Sequence, residues 1–261
     1  MSKVEVSKIR RMFDLAKEIK NPIDLSLGQP DFDVPTEVKS AAIEAIDKGY
    51  NRYTATQGIE EFHEALFAYF KRKYNYDRRK NDSAIVTVGA TGGLFLACAV
   101  LVDSGTRVLI PDPYFVLYRH LVNFFGGTPV LIDTYETQFK LTPEKLKAQA
   151  KHGDLMIFNN PVNPTGVAYS REELQVLVNV AREFGITIIA DEVYNSFSFD
   201  FEHETILNLY EDAVLIGALS KTAGMPGWRI GYVIAENSII EIMISLQQFS
   251  YVCAPTPLQK A

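Results

Sequence analysis

Lys221 follows the apolar run Ala213-Val214-Leu215-Ile216-Gly217-Ala218-Leu219-Ser220, and Arg229 comes eight residues later, after the turn-rich stretch Gly224-Met225-Pro226-Gly227-Trp228. A lysine leaving a buried strand loses water, which favours its neutral, nucleophilic form and Schiff-base chemistry with a carbonyl. The arginine stays charged at any working pH, and its planar fork suits a phosphate. A nucleophilic amine beside a phosphate anchor is what an aldehyde carrying a phosphate arm would need. Taken alone, the same stretch also reads as a solvated turn.

Other apolar runs end in matching chemistry. After Ala84–Val88 comes Gly89-Ala90-Thr91-Gly92-Gly93 and then a helical pattern. Glycines opening a helix expose backbone N–H groups and the positive end of its dipole, an anion site to which Thr91 adds a hydroxyl. There is no Lys-Ser/Thr phosphate-loop ending and no G-x-G-x-x-G, which speaks against a nucleotide. After Leu155–Phe158 comes Asn159-Asn160-Pro161-Val162-Asn163-Pro164-Thr165-Gly166, where two Asn-Pro pairs hold an amide on a turn-rich path. After Ile186–Ala190 comes Asp191-Glu192-Val193-Tyr194. A carboxylate there either caps a following helix or meets a donor such as a pyridinium nitrogen, since an unpaired buried charge is costly. After Val108–Ile110 comes Pro111-Asp112-Pro113-Tyr114-Phe115-Val116-Leu117-Tyr118, an aromatic group that packs in the core or stacks on a flat ring. Together the strand ends hold a lysine, a carboxylate, an amide, a phenol, an aromatic plate and two anion anchors. Pyridoxal phosphate, a pyridine aldehyde with a phosphate arm, requires that inventory.

The elements that must position these residues are readable too. Val130–Ile132, Val214–Ala218 and Tyr232–Ala235 complete seven runs, mostly apolar throughout, as strands covered on both faces are. Ser170-x-x-Glu173 is a capping box before the stripe Leu174, Leu177, Val178 and Ala181, and Thr142-Pro143-Glu144 opens another helix. The fold class is α/β, a three-layer αβα sandwich on a mainly parallel seven-stranded sheet, with its site on the loops after the strand C-termini. Tyr74 to Asp82 is expected to be an exposed connection of mixed charge, and Met12, Leu15, Ala16 and Ile19 predict an amphipathic arm.

Composition excludes several classes. A net charge of −6 makes a nucleic-acid partner unsuitable, and no apolar run approaches a membrane span. Cys98 and Cys253 read as buried thiols of a soluble, cytoplasmic protein, and no metal site is expected.

With these motifs in place, from about Ile23 onward the chain resembles a fold-type I pyridoxal-phosphate enzyme of the class I/II aminotransferase branch, aspartate aminotransferase-like. The resemblance rests on Leu27-Gly28-Gln29-Pro30-Asp31-Phe32, Tyr53-Thr54 with Gly58, Asn160 to Gly166, Asp191 to Tyr194, and Ser220-Lys221 with Arg229. It implies that Lys221 forms the aldimine and shuttles a proton, and that Asp191 pairs the pyridinium nitrogen. Asn163 and Tyr194 would meet the ring oxygen, and Phe115 would stack on the ring. Ala90, Thr91 and Arg229 would hold the phosphate. Gly28, Phe115 and Asn163 would border the substrate, and Tyr53 would reach the neighbouring site of a homodimer.

In domain terms it implies an N-terminal arm and small-domain segment over 1–35 and a cofactor-binding large domain over 36–261, with the C-terminal small domain and its carboxylate-binding arginine absent. Relatives often carry a phosphate-binding serine where Ala218 stands here, and strand alternation would let Ser220 substitute in part. The expected reaction moves an amino group between an L-amino acid and a 2-oxo acid, aspartate being the default donor and aromatic amino acids next. The alternatives are a lyase acting on sulfur or related amino acids, or a cofactor-binding fragment without turnover. The acidic charge and the lack of a helix-turn-helix extension argue against a ligand-sensing regulator.

Overall fold

Every one of the seven apolar runs is a strand: β1 Asp82–Val88, β2 Arg107–Asp112, β3 Thr128–Asp133, β4 Leu155–Asn159, β5 Thr187–Asp191, β6 Ala213–Ala218 and β7 Ile230–Glu236. The computed structural model describes Ile19, Lys20, Ile23 and residues 28–261, so most of the expected amphipathic arm lies outside the described residues. The strands form one sheet in the order β1-β7-β6-β5-β4-β2-β3. β7 pairs antiparallel with β1 and with β6, and the other neighbours pair parallel. Six strands therefore point their C-termini at one edge, and β7 starts there.

Side chains alternate between two cores, one on each face of the sheet. One face joins Leu109, Met156, Ile188, Leu215 and Ile234 to helices α2 (Glu60–Tyr74) and α6 (Arg171–Phe184). The other joins Val108, Ile157, Ile189, Val214 and Val233 to α3 (Gly89–Leu101), α4 (Leu117–Phe124) and α8 (Asn237–Gln248). This double cover is why β4 and β6 are buried at every position and read as continuous apolar runs. The remaining helices are α1 (Thr36–Asp47), α5 (Pro143–Gln149), the single turn α7 (Leu219–Thr222) and α9 (Thr256–Lys260).

Local signals set the helix ends. The Ser170 hydroxyl accepts from the Glu173 N–H at 3.3 Å, and the Glu173 carboxylate accepts from the Ser170 N–H at 2.8 Å, closing the capping box. Gly185, left-handed at φ 59°, ends that helix. α3 is a poor helix by propensity, since each interior glycine costs about 0.5–1 kcal/mol. Packing overrides this: Leu94, Leu96, Ala97 and Cys98 are buried at 1% exposure or less, and a fully buried leucine alone contributes roughly 1.5–3 kcal/mol. Gly93 permits the packing, because a Cβ there would crowd Val233 and Ile216 of the sheet.

Three expectations need correction. The connection before β1 is only partly exposed: Tyr76 and Asp82 are buried, because Tyr76 packs edge-on against Phe70 and its hydroxyl donates to Asp82, which also pairs with Arg79 at 2.7 Å. Cys253 is half-buried, unlike Cys98. Strand β6 ends at Ala218, so Ser220 lies in the turn of α7 and strand alternation does not aim it where a residue-218 side chain would point.

Candidate active site

The C-terminal ends of β1, β4, β5 and β6 bring the chemistry-bearing residues to one edge of the sheet. Lys221 sits in α7 directly after β6, half-buried, and its ammonium donates to the Gly28 carbonyl. Its Nζ is 5.8 Å from the centroid of the Tyr194 ring. Burial lowers the pKa of this amine, the direction a nucleophile needs.

Asp191 is the last residue of β5 and is 5% exposed. No helix follows for it to cap. Instead its Oδ1 accepts from the Val193 N–H at 3.2 Å and its Oδ2 accepts from the Tyr118 hydroxyl at 2.7 Å. Burial pushes its pKa up to about 6, against the pull of those two donors, and the neighbouring Glu192 adds to the rise. Glu192 faces away into its own buried set, accepting from the Ile206 N–H at 2.7 Å and meeting His203 Nε2 at 3.1 Å.

Asn163 reaches this group from the loop after β4. Its Nδ2 donates to the Tyr194 hydroxyl at 3.3 Å, and its backbone N–H donates to Asn159 Oδ1 at 2.6 Å. The Asn159 Nδ2 donates in turn to the Asp191 carbonyl at 2.8 Å, so one carboxamide ties the ends of β4 and β5 together. Burial, with Asp191 nearby, raises the pKa of the Tyr194 phenol.

The anion anchor forms where β1 enters α3. Gly89 is left-handed at φ +68°, and a Cβ on it would overlap the Arg229 guanidinium; a Cβ on Gly231 would overlap the Gly89 backbone. Arg229 is itself left-handed at φ 56°, which turns its side chain back over Gly89, where Nη1 donates to the Pro226 carbonyl at 2.9 Å. The guanidinium thus lies over the N-terminus of α3, beside half-buried Ala90 and exposed Thr91. Phe115 is half-buried and meets Tyr118 edge-to-face, ring centroids 5.7 Å apart.

Two expected residues remain, Ser220 next to Lys221 and Tyr53 on another connection. Ser220 is buried in α7 at 8% exposure. Tyr53, 82% exposed, lies on the connection between α1 and α2, lining a cavity of about 720 Å³ with Tyr50, Arg52 and Lys260. That connection is pinned from both sides of Tyr53: the Arg52 carbonyl accepts from Thr256 Oγ1 at 2.7 Å and the Thr56 carbonyl from Gln247 Nε2 at 2.6 Å.

Sequence reasoning missed Tyr118 and Asn159, although both sat inside motifs it had marked. The signal available was position: Asn159 ends a buried strand, and Tyr118 lies three residues after Phe115, one helical turn away. Among the described residues no group of three or more His, Cys, Asp or Glu could hold a metal ion, and no helix is long and apolar enough to cross a membrane.

The family model for aminotransferase class I and II matches residues 20–261. An aspartate aminotransferase of Pyrococcus abyssi is 36% identical over 264 residues, covering 99% of this chain and 68% of the relative. A probable aspartate aminotransferase of Methanocaldococcus jannaschii is 38% identical over 260 residues, covering 97% and 68%. The solved structure of Thermus thermophilus aspartate aminotransferase with maleate superposes with a TM-score of 0.91 at 31% identity, covering 97% of this chain and 67% of that one. Matched in this way along nearly its whole described length, with an open edge of sheet carrying a desolvated lysine, the chain belongs to the class I and II aminotransferases, enzymes that transfer amino groups.

Proposed function

We propose that the chain uses pyridoxal phosphate and exchanges an amino group between an L-amino acid, aspartate first, and a 2-oxo acid. The observation that carries this is the convergence of Lys221, the buried Asp191 carboxylate and the Arg229–Gly89 cradle on one edge of the sheet. The residues present suit the cofactor. The lack of a side chain at Gly89 lets the Arg229 guanidinium lie over the N-terminus of α3, and a guanidinium there suits its phosphate. A buried carboxylate suits a protonated ring nitrogen.

When bound, pyridoxal phosphate supplies an aldehyde for the amino group and a ring that accepts electrons from the substrate carbon. Lys221 would hold the aldehyde end through its desolvated amine and would carry a proton to and from the substrate Cα. Asp191 would keep the ring nitrogen protonated, Asn163 and Tyr194 would hold the ring oxygen, and Phe115 would pack on the ring. Arg229, Ala90 and Thr91 would hold the phosphate. Tyr53, projecting into solvent, suits contact with the site of a second copy in a homodimer. Aspartate leads the candidate donors because relatives named aspartate aminotransferase match the chain, with aromatic amino acids next, after a relative so named in Thermococcus litoralis.

Absorbance spectroscopy of the purified chain tests the proposal. Added pyridoxal phosphate should give a visible band that borohydride reduction fixes to Lys221, and aspartate should bleach the band while a 2-oxo acid appears. Lys221→Ala should abolish the fixed adduct. A wild-type chain without the band, or one releasing ammonia from a single substrate, would overturn the reading.

A further inference from the structure

We infer that Tyr118 is a positioning residue of the site, holding the Asp191 carboxylate ionised and aimed while bracing the Phe115 ring. This rests on the proposed cofactor reading and extends it to a residue that reading does not use.

Tyr118 is 2% exposed and Asp191 is 5% exposed, so neither meets water. Their 2.7 Å hydrogen bond links the first turn of α4 to the end of β5, 73 residues apart in sequence. A phenol is the right donor for that place. It gives up a strong hydrogen bond to an ionised carboxylate without adding a charge, and burial, with the carboxylate adding to it, raises the phenol pKa well above its ordinary value, so the proton stays on oxygen.

The other groups facing Asp191 do not replace it. The Val193 N–H satisfies only Oδ1, Glu192 on the same segment opposes the charge, and Tyr194 points its hydroxyl to Asn163. Without Tyr118, Oδ2 would be a buried acceptor with no partner, and the carboxyl would hold its proton to higher pH. The same ring packs edge-on against Phe115 at 82° between planes, so one side chain sets both the carboxylate and the aromatic plate.

Tyr118→Phe keeps the ring and removes only the donor, so Phe115 keeps its support. Hydrogen bonds to charged groups of this kind correspond to roughly ten-fold or more in binding. Titration with pyridoxal phosphate should therefore show at least ten-fold weaker affinity in Tyr118→Phe. In an Asp191→Asn background the same change should alter affinity less than two-fold, since there is no carboxylate left to hold. A Tyr118→Phe affinity within two-fold of wild type, or an equal loss in both backgrounds, would overturn the inference.

A second arm needs no cofactor. The stability difference between the wild-type chain and the Asp191→Asn variant, followed by thermal melts from pH 4 to 9, grows with pH and levels off where folded Asp191 ionises. Adding Tyr118→Phe to both chains should move this levelling-off point up by about one pH unit or more, and an unmoved levelling-off point would again overturn the inference. If the wild-type chain ignores pyridoxal phosphate, the proposed function falls, and this arm still decides whether Tyr118 holds Asp191.

Discussion

Water stabilises a carboxylate that the interior of this sheet does not, and at Asp191 two hydrogen bonds only partly replace it. Its pKa rises from 3.8 to about 6. The sign follows from linkage: a carboxyl whose folded pKa lies above its unfolded one helps folding fully below about pH 4 and loses that help as pH climbs through about 6. The ionised form then costs the cofactor-free chain about 3 kcal/mol. Asp191→Asn should therefore melt several degrees higher than wild type at pH 8 and alike at pH 4. Its amide can still accept from Val193 and donate to the Tyr118 oxygen. The same variant should bind pyridoxal phosphate at least ten-fold more weakly. Equal melting points at both pH values would show that Asp191 is not a strained anion.

One element scale up, the proposed phosphate cradle belongs to the start of α3 rather than to any single side chain. Gly89→Ala forces a left-handed backbone on a residue with a Cβ, which costs about 1–2 kcal/mol, and drives that Cβ into Arg229. Both thermal stability and affinity for pyridoxal phosphate should fall. Ser170→Ala is the contrast: it removes the cap of α6 and costs about 1 kcal/mol. Because α6 packs on the sheet face away from the cradle, cofactor affinity should stay unchanged. If both variants lose affinity alike, the cradle is responding to general loosening and not to its own geometry. α6 and the seven strands were readable because period and capping are local. Strand alternation does not place Ser220, because β6 ends at Ala218 and the chain turns into α7.

At the scale of the whole molecule, the proposed homodimer would tie activity to assembly through the exposed Tyr53. On the homodimer proposed above, Tyr53→Phe and Lys221→Ala chains each have impaired sites, but a hybrid of the two holds one complete site. Mixing equal amounts should restore complete sites to about a quarter of the wild-type number, since half of the dimers become hybrids with one complete site each, measured as cofactor binding after subunit exchange, and no restoration would exclude a role for Tyr53 across the interface. The chain matches about two thirds of the length of its relatives, 68% for the Pyrococcus abyssi enzyme. By itself the sequence determined the seven strands, their double-sided burial, the helix caps, and the residues Lys221, Asp191, Asn163, Tyr194 and Arg229 as types suited to one cofactor. Each of those is written in neighbouring residues, as an apolar run, a period or a turn signal. Only the tertiary structure decided which distant residues meet. Tyr118 reaches Asp191 across 73 residues, the Asn159 carboxamide ties β4 to β5 across 32, and Arg229 folds over Gly89 because two glycines let backbones approach closely. Such pairings depend on strand order and helix placement, which no local pattern encodes.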